Sequence, residues 1–214
     1  MEAKDQKSGL AFIDLKSNDP VNLYEDWHQE AIKYMKGSTS ITCLATVSGE
    51  TPRARHVLLR GYGKDGFEFF TDSRGRKSQE LSENSQAAMC IYWMYENDKS
   101  ERVSRQVRLE GRVELLPRER VREVYELEPL HCKIRAHLCH QDVKVDWTQM
   151  KGHHDELLRQ AESDPESLVM PEHFVGYKLI PTWFDFYFSK DNFIADRMEF
   201  TNEDGVWKNM RIAA

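Results

Sequence analysis

The sequence predicts an α+β fold built on an antiparallel β-barrel. Many short runs rich in β-branched and aromatic residues are separated by turn signals, a pattern typical of antiparallel strands. A few amphipathic stretches with helical spacing lie between these runs. The 214 residues are 40% hydrophobic and 31% charged, which suits one sizeable globular domain, or two small ones, with a real core.

The N-terminal segment differs in composition from the rest of the chain. Residues 1–19 are polar with scattered apolar positions, and we expect a flexible arm that docks through Leu10, Phe12 and Leu15. Residues 20–214 are expected to form a single domain. No internal repeat or low-complexity tract divides that part of the sequence.

Two helices are predicted from their capping residues. Asp19 is suited to be an N-cap and Pro20 to be the first residue of a helix. A second helix should begin near Gly75, with Asp72 or Ser73 as its cap. Further helices are predicted after Pro117, to about residue 138, and at 147–161.

The strands follow from β-branched and aromatic runs between turns. A Gly-Lys-Asp-Gly turn at 63–66 joins two of them in a hairpin. A run at 105–116 alternates apolar and polar residues and predicts a strand with one solvated face. The others are predicted at 40–48, 87–95, 174–180, 183–188, 193–200 and 206–212.

Overall composition excludes several classes of protein. The net charge is -6, which argues against a general nucleic-acid surface. No apolar run approaches the ~20 residues that span a bilayer, and the polar N-terminus shows no secretory signal. The four cysteines contain no C-x-x-C pair, so reduced thiols and a cytoplasmic location are expected.

One stretch is strongly basic within this acidic chain. Arg53, Arg55 and Arg60 lie on one predicted strand, and Arg76 and Lys77 lie where a helix begins. Helix N-termini and arginine side chains both favour anions, so the stretch predicts a site for a small anionic ligand. Composition alone favours the simpler alternative, a solvated surface with ordinary ion pairs.

Several short motifs occur in a characteristic order over nearly the whole chain. They are Arg55-His56-Val57-Leu58-Leu59-Arg60, Phe69-Phe70-Thr71, Arg76-Lys77, Arg105-Gln106-Val107 with Gly111, Asp196-Arg197, Trp207 and Arg211-Ile212-Ala213. Together they resemble the pyridoxine/pyridoxamine 5'-phosphate oxidase family. The resemblance implies an FMN-binding split barrel and a homodimer with FMN in two clefts formed by both subunits. It also implies oxidation of an amine or alcohol to pyridoxal 5'-phosphate, with O2 reoxidising the flavin.

The resemblance also implies which residues hold the cofactor. Arg55, Arg76 and Lys77 suit the anionic end of FMN. The ribityl chain and ring would be lined by His56, Val57, Leu58, Phe70 and Thr71, and Gln106 would reach the ring edge. From the partner subunit the family pattern supplies Gln141 followed by Asp142, then Tyr187 where the family has tryptophan, and Arg197. We assign no catalytic residue and no metal ligand.

The substrate side departs from the family pattern. The resemblance places Arg60 and Tyr125 in the substrate site, with Tyr125 one residue out of register. Glu128 replaces an arginine and Cys132 replaces a serine that grip the substrate phosphate. An Arg-Leu-His element has become residues 193–195, Phe-Ile-Ala, and Asp5 falls near a lid tyrosine. We therefore expect the activity on pyridoxine 5'-phosphate to be weak or lost.

Three classes of function remain open at this level. The first is an FMN oxidase that makes pyridoxal 5'-phosphate, and the second is a flavin-dependent reductase with another substrate. The third is a flavin-binding protein without catalysis. A metal site at His131, Cys132, Cys139 and His140 is disfavoured, because their spacing fits no standard zinc pattern.

Overall fold

Eight strands form one antiparallel sheet in residues 8–214, the part of the chain that this computed structural model describes. Residues 1–7, with Asp5 among them, lie outside the described residues. The strands are β1 (Ile41–Ser48), β2 (Thr51–Gly63), β3 (Gly66–Asp72), β4 (Gln86–Glu96), β5 (Arg102–Leu115), β6 (Phe174–Lys190), β7 (Asp196–Glu203) and β8 (Val206–Ile212). The helices are α1 (Pro20–Tyr34), α2 (Arg76–Glu83), α3 (Arg118–Leu127), α4 (Leu130–Leu138) and α5 (Trp147–Ser163).

The sheet closes into a barrel because β3 pairs with β6. The strand order is β3-β2-β1-β4-β5-β6-β7-β8, and the additional β3–β6 pairing joins the first strand of that order to the sixth. Strands β7 and β8 extend the sheet beyond the closed part. This architecture confirms the predicted α+β antiparallel split barrel with peripheral helices.

Strand β6 is a single long strand, so the prediction of two strands at 174–180 and 183–188 was wrong. Pro181 lies between those two ranges and is paired with Gly111 on β5, next to a shift in register between Glu110 and Gly111. A bulge of this kind accommodates a proline without ending the strand. A Cβ at Gly111 would lie 2.0 Å from the carbonyl oxygen of Ile180, which explains the glycine.

The barrel core is built largely from aromatic side chains. The largest fully buried residues include Trp93, Phe67, Phe69, Phe184, Phe186 and Phe200. Helix α1 packs its buried face on this core, with Tyr24 edge-on to Phe67 at 4.9 Å and Trp27 edge-on to Phe186 at 5.2 Å. Such aromatic pairs contribute about 0.5–1.5 kcal/mol each beyond the area they bury.

Helix α1 begins as its capping residues predict. Asp19 Oδ1 accepts a hydrogen bond from the backbone N–H of Val21 at 3.0 Å, and Pro20 is the first helical residue. The cap satisfies one of the free N–H groups that every helix start leaves unpaired. The domain boundary at 19/20 therefore coincides with the start of α1, while the division into arm and domain stays a prediction.

The described part of the arm docks through only one of the three residues predicted for it. Ala11 and Ile13 are buried, whereas Leu10 and Phe12 are 75% and 63% exposed. The Ala11 N–H donates to the carbonyl oxygen of Ile194 at 2.9 Å, so the arm runs beside the chain that enters β7. Leu15 packs against the core as predicted. The buried positions of the arm are therefore 11 and 13 rather than 10 and 12, because the parallel bridge between Leu10 and Ile194 sets which side of the arm faces the core.

Helices α3 to α5 form a small layer outside the barrel. Helices α4 and α5 share a separate apolar cluster of Ile134, Leu157, Ala161 and Leu168. Pro129 separates α3 from α4, as the sequence predicts. Between residues 8 and 214, no helix has both the length and the apolar character needed to cross a lipid bilayer.

Candidate active site

A cleft of about 530 Å³ opens beside β2 and β3, and α4 with its flanking segments forms the opposite wall. Eight of the predicted site residues line it, namely His56, Val57, Leu58, Arg60, Phe70, Thr71, Lys77 and Gln141. The other lining residues are Ile41, Asp72, Glu128, Cys132, Arg135, Ala136, Cys139, His173 and Phe174. The cleft is therefore made by residues far apart in sequence that the β3–β6 pairing brings together.

Lys77 places a positive charge in this cleft among neutral acceptors. Its Nζ donates to Thr71 Oγ1 at 2.9 Å and to Gln141 Oε1 at 2.6 Å. Burial lowers the pKa of Lys77 below its usual value, and the nearby charge of Arg55 lowers that pKa further. An anion bound here would relieve both effects. This end of the cleft is suited to a phosphate group.

The start of helix α2 adds backbone donors to the same end. Its N-cap, Gly75, has no side chain to cap the helix, and the Arg76 N–H instead donates to Asp142 Oδ2 at 3.1 Å. The predicted cap by Asp72 or Ser73 was wrong. Asp72 is engaged with Arg74, accepting from its backbone N–H at 2.8 Å and from its guanidinium.

The ion pair between Asp72 and Arg74 stabilises the turn that precedes helix α2. Burial tends to raise the pKa of Asp72, but the hydrogen bonds and charge of Arg74 outweigh burial and keep the pKa below its usual range. Arg74 Nη2 also donates to the carbonyl oxygen of Cys139 at 3.0 Å. Arg74 therefore ties the turn before α2 to the segment that follows α4.

Gln141 lies in the cleft of its own chain, and its contribution to a cofactor site from a partner subunit stays a prediction. The segment after α4 passes directly over Gly75, where a Cβ would lie 2.6 Å from Gln141 Oε1. Asp142 has a positive φ of 67°, so the chain turns sharply at this point. The side chain of Arg76 lies 3.4 Å from Asp142 Oδ1 and is 64% exposed.

Arg55 lies close to Lys77 but does not line the cleft. Its guanidinium donates to Glu80 Oε2 at 2.5 Å and also to the Thr46 hydroxyl. Burial favours a raised pKa at Glu80, but hydrogen bonds from Thr46 and Arg55 lower the pKa overall. Arg55 thus contributes positive charge to the phosphate end from an internal ion pair. Direct contact with a cofactor stays a prediction.

The opposite end of the cleft carries an ion pair. Arg60 Nη2 donates to both carboxylate oxygens of Glu128, at 2.5 and 2.7 Å, and the Glu128 side chain is only 6% exposed. Burial raises the pKa of the Cys132 thiol, and a hydrogen bond with Glu128 raises it further. Arg135 Nη2 donates to Cys132 Sγ at 3.7 Å. These contacts connect four side chains, which we call the Glu128 group: Arg60, Glu128, Cys132 and Arg135.

Tyr125 does not line this cleft. It is 3% exposed, and its hydroxyl donates to the carbonyl oxygen of Leu168 at 3.0 Å and lies 3.2 Å from His137 Nε2. Burial raises the pKa of Tyr125 to about 12. A shift of one residue rotates a helical side chain by about 100°, which explains why the residue out of register faces away. A substrate contact by Tyr125 stays a prediction that this orientation disfavours.

Gln106, Tyr187 and Arg197 lie next to one another on the outer face of the sheet. The register pairs Gln106 with Tyr187 and Tyr187 with Arg197, and Tyr92 on β4 continues the row. We call these four residues the transverse row. The row does not line the cleft of its own chain. One chain therefore presents two separate groups of predicted cofactor residues.

The transverse row is held rigidly by a buried carboxylate. Asp185 is 1% exposed and accepts from Arg197 Nε and Nη2 at 2.8 Å each. It also accepts from Arg108 Nε at 2.8 Å. Because two guanidinium groups share one buried acid, Arg197 is fixed beside Tyr187 with its charge only partly compensated.

Apolar side chains on the same outer face connect the cleft with the transverse row. Ile41 and Leu58 line the cleft and are 46% and 42% exposed, and Tyr92 and Met94 are 53% and 64% exposed. They lie on neighbouring strands, since β1 pairs with both β2 and β4. An exposed apolar surface of this kind is typical of a protein interface.

Arg135, His173 and Phe174 are among the cleft residues that were not anticipated from the sequence. Arg135 lies three positions after Cys132 on α4, a spacing that puts both on one helix face and could have pointed to it. His173 Nε2 lies 2.8 Å from the carbonyl oxygen of Ala136, and Phe174 stacks on Phe70 with ring centroids 6.0 Å apart. Neither has a local signal, because both reach the cleft only through the pairing of β6 with β3.

Fold and cleft together define a split-barrel protein whose cleft has a partly buried lysine near the start of a helix. Comparison with known proteins identifies its family. The family model described as pyridoxamine 5'-phosphate oxidase matches residues 28–162, more than half of the chain. The chain belongs to the pyridoxamine 5'-phosphate oxidase family.

Similar proteins come from animals and bacteria. The chain is 35% identical over 191 residues to a pyridoxine-5'-phosphate oxidase of Bos taurus, covering 87% of this chain and 69% of that protein. It is 30% identical over 211 residues to a pyridoxine/pyridoxamine 5'-phosphate oxidase of Pseudomonas paraeruginosa, covering 97% and 94%. At these sequence identities and coverages, both relatives support membership of the family and not only a shared fold.

Two solved structures share the fold. PhzG from Burkholderia lata, solved with tetrahydrophenazine-1-carboxylic acid, superposes with a TM-score of 0.82 at 21% identity and covers 96% of this chain and 100% of its own. A pyridoxamine 5'-phosphate oxidase-related, FMN-binding protein from Nostoc punctiforme gives a TM-score of 0.69 at 16% identity, covering 92% and 98%. At these identities the likeness concerns the fold alone.

Proposed function

We propose that this chain is an FMN-dependent oxidoreductase of the pyridoxamine 5'-phosphate oxidase type. It oxidises the amine or alcohol carbon of a vitamin B6 compound to an aldehyde and passes the electrons to O2. The observation that carries the proposal is the placement of Lys77, a partly buried cation among neutral acceptors at the start of α2. That arrangement is incomplete without an anion, and FMN supplies one together with a flat ring for the rest of the cleft.

The residues present fit FMN. Thr71 and Lys77 would hold the phosphate beside the start of α2, with the charge of Arg55 behind them. Bound in this cleft, FMN supplies the redox chemistry by accepting a hydride from the substrate and returning electrons to O2. Phe70, stacked on Phe174, gives the cleft a flat wall.

The protein's own part in the reaction is binding and orientation. His56 and Leu58, on the outer face of β2, narrow the cleft beside the Glu128 group. An alcohol gives one aldehyde and one hydrogen peroxide per O2, and an amine also consumes one water and releases ammonia. Oxidation of the alcohol or amine also releases a proton from the substrate. Residues 193–195 are Phe-Ile-Ala, so this segment offers no ionisable side chain to accept that proton. We therefore expect slow turnover.

We further propose that the protein works as a homodimer in the cytoplasm. The transverse row does not line the cleft of its own chain, and the exposed apolar side chains between the two support docking of a second copy on this face. Packed there, the second copy would bring its own Gln106, Tyr187 and Arg197 to the cofactor edge. The four free thiols are in keeping with a reducing compartment.

Spectroscopy and product analysis test the proposal. Protein purified under air should be yellow, and the pigment released on denaturation should be FMN rather than FAD. Offered pyridoxamine and its 5'-phosphate in separate reactions, it should form an aldehyde and hydrogen peroxide in equal amounts from at least one of them. A colourless protein that takes up no FMN would contradict the proposal.

A flavin-dependent reductase is the second candidate. It is favoured by the apolar 193–195 element, where Ile194 is 60% exposed and its backbone is bonded to the arm. A reductase would consume NADH or NADPH with bound flavin and form no aldehyde from either B6 compound. A protein that binds flavin but does neither reaction would be the non-catalytic homologue.

A further inference from the structure

The cations at the two ends of the cleft have different hydrogen-bond partners. At one end Lys77 contacts only a hydroxyl and an amide oxygen, so its positive charge has no directly bonded acid. At the other end Arg60 is already paired with the carboxylate of Glu128 through both oxygens. The first end therefore has a cation without a directly bonded acid, although the charges of Asp142, Asp72 and Glu80 act on it, whereas the second end supplies its own acid.

Glu128 cannot readily make room for an incoming anion. Its side chain is 6% exposed, against 33% for its partner Arg60, so the acid is the more deeply buried member of the pair. A phosphate that captured Arg60 would leave this carboxylate buried beside a second negative charge. The repulsion between these two negative charges is unfavourable, because the buried carboxylate is poorly screened by water.

The Glu128 group still offers hydrogen bonds to a ligand of the right kind. Both contacts with Glu128 use the same Arg60 nitrogen, Nη2, which leaves Nε and Nη1 as donors. Glu128 is an acceptor, and Arg135 on the other side of Cys132 is a further donor. A hydroxyl group both accepts and donates, so it can bond to Arg60 and Glu128 together. A phosphate dianion can only accept.

We propose that the Glu128 group selects the unphosphorylated form of the substrate, and that Glu128 is the residue that determines this specificity. The inference rests on the proposed function and names its substrate class. The preferred substrate is a pyridine amine or alcohol that carries a free hydroxymethyl group where the phosphorylated compounds carry a phosphate ester. FMN binding at the Lys77 end is unaffected, because the two anion-sensitive positions are separate.

Binding of unreactive ligands to the flavin-loaded protein tests this specificity. The probes are 4-deoxypyridoxine and 4-deoxypyridoxine 5'-phosphate, which lack the oxidisable group, titrated against the flavin absorbance and by calorimetry. We expect the wild-type protein to bind the unphosphorylated probe at least about tenfold tighter. Inorganic phosphate should not displace that probe.

Two variants localise the effect. Glu128→Gln removes the negative charge and keeps the shape, and it should tighten binding of the phosphorylated probe by about tenfold or more. Glu126→Gln, an exposed acid two residues earlier on α3, is the matched control and should leave both affinities unchanged. The flavin spectrum reports whether each variant is folded and loaded.

The outcomes separate this inference from the proposed function. If the flavin-loaded wild-type protein binds the phosphorylated probe more tightly, the specificity inference is overturned and the proposed function stands. If the protein loads with FMN and binds neither probe, both fail. The wild-type comparison decides the question even if Glu128→Gln does not fold.

Discussion

The Nζ of Lys77 lies 2.6 Å from Gln141 Oε1 and bridges helix α2 to the segment that follows α4. The contact joins the first residues of a barrel-supported helix to a peripheral segment. It places a cation in the cleft beside the start of helix α2. Lys77→Met should therefore weaken FMN binding, because a charge-assisted hydrogen bond contributes about 1.5–3 kcal/mol, or about 10- to 150-fold.

Fluorescence quenching of FMN by the apoprotein measures this loss. Lys64→Met removes a lysine whose side chain is 78% exposed on the β2–β3 turn and serves as the control. An unchanged FMN affinity in Lys77→Met would refute the assignment of the phosphate end.

The pH dependence of FMN binding follows from the same residue. In the free protein, burial and the charge of Arg55 lower the pKa of Lys77 from its usual 10.5, whereas a bound phosphate raises it. Above the lowered pKa, binding must take up a proton, so affinity should fall as pH rises, and the fall should begin below 10.5. Titrations at increasing alkaline pH measure this, and Lys77→Met should remove the alkaline decline.

Asp142 should hold FMN affinity below its attainable maximum. Its carboxylate accepts from the Arg76 N–H at 3.1 Å and so occupies a helix start that favours anions. Asp142→Ser removes the competing charge and should improve FMN affinity by about fivefold, or about 1 kcal/mol. Glu162→Gln on the exposed side of α5 is the charge-matched control. Weaker binding in Asp142→Ser would mean that the acid supports the site.

A side chain at Gly75 should displace Gln141. A Cβ there would lie 2.6 Å from Gln141 Oε1, so Gly75→Ala should push Gln141 away from Lys77 and weaken FMN binding about tenfold. At Gly37 the same Cβ would meet nothing within 4 Å, and Gly37→Ala should leave binding unchanged. Equal FMN affinities in the two variants would show that the position of Gln141 does not matter.

Asp185 should be required for both stability and the transverse row. Asp185→Asn leaves two guanidinium groups, of Arg108 and Arg197, without their shared acid and should cost about 3–5 kcal/mol of unfolding free energy. Urea unfolding of the apoprotein measures that cost apart from cofactor binding. Glu199→Gln, its neighbour on β7, should cost less than about 1 kcal/mol. Similar losses in the two variants would refute the anchoring role.

The parts of the site that were predictable are those set by local sequence. The strand carrying His56 and Leu58, the hairpin turn and the start of α2 depend on alternation, turn residues and a helix start, all readable within about ten residues. They bring Lys77 and Thr71 together without information about distant pairing. The acidic residue on the substrate side, Glu128, could also be identified, because its position next to Pro129 is read directly from the sequence.

What could not be predicted depends on contacts between distant segments. His173 and Phe174 enter the cleft because β6 pairs with β3, a partnership that neither strand encodes alone. Gln141 lies in its own chain's cleft because Arg74 hydrogen-bonds to the backbone of Cys139 and because Gly75 has no side chain to block Gln141. Tyr125 faces Leu168 because a one-residue offset rotates it, and only the packed helix reveals the direction.

The wall that carries Glu128, Cys132 and Arg135 rests on its own small apolar cluster rather than on the aromatic interior of the barrel. Substitutions in this wall therefore leave the scaffold's folding and its flavin-holding strands largely untouched. Selection can remodel ligand choice in such a lineage one peripheral residue at a time, while the inherited redox machinery is preserved. Glu128, in this outer wall, is a residue that the arrangement allows to change without rebuilding the barrel.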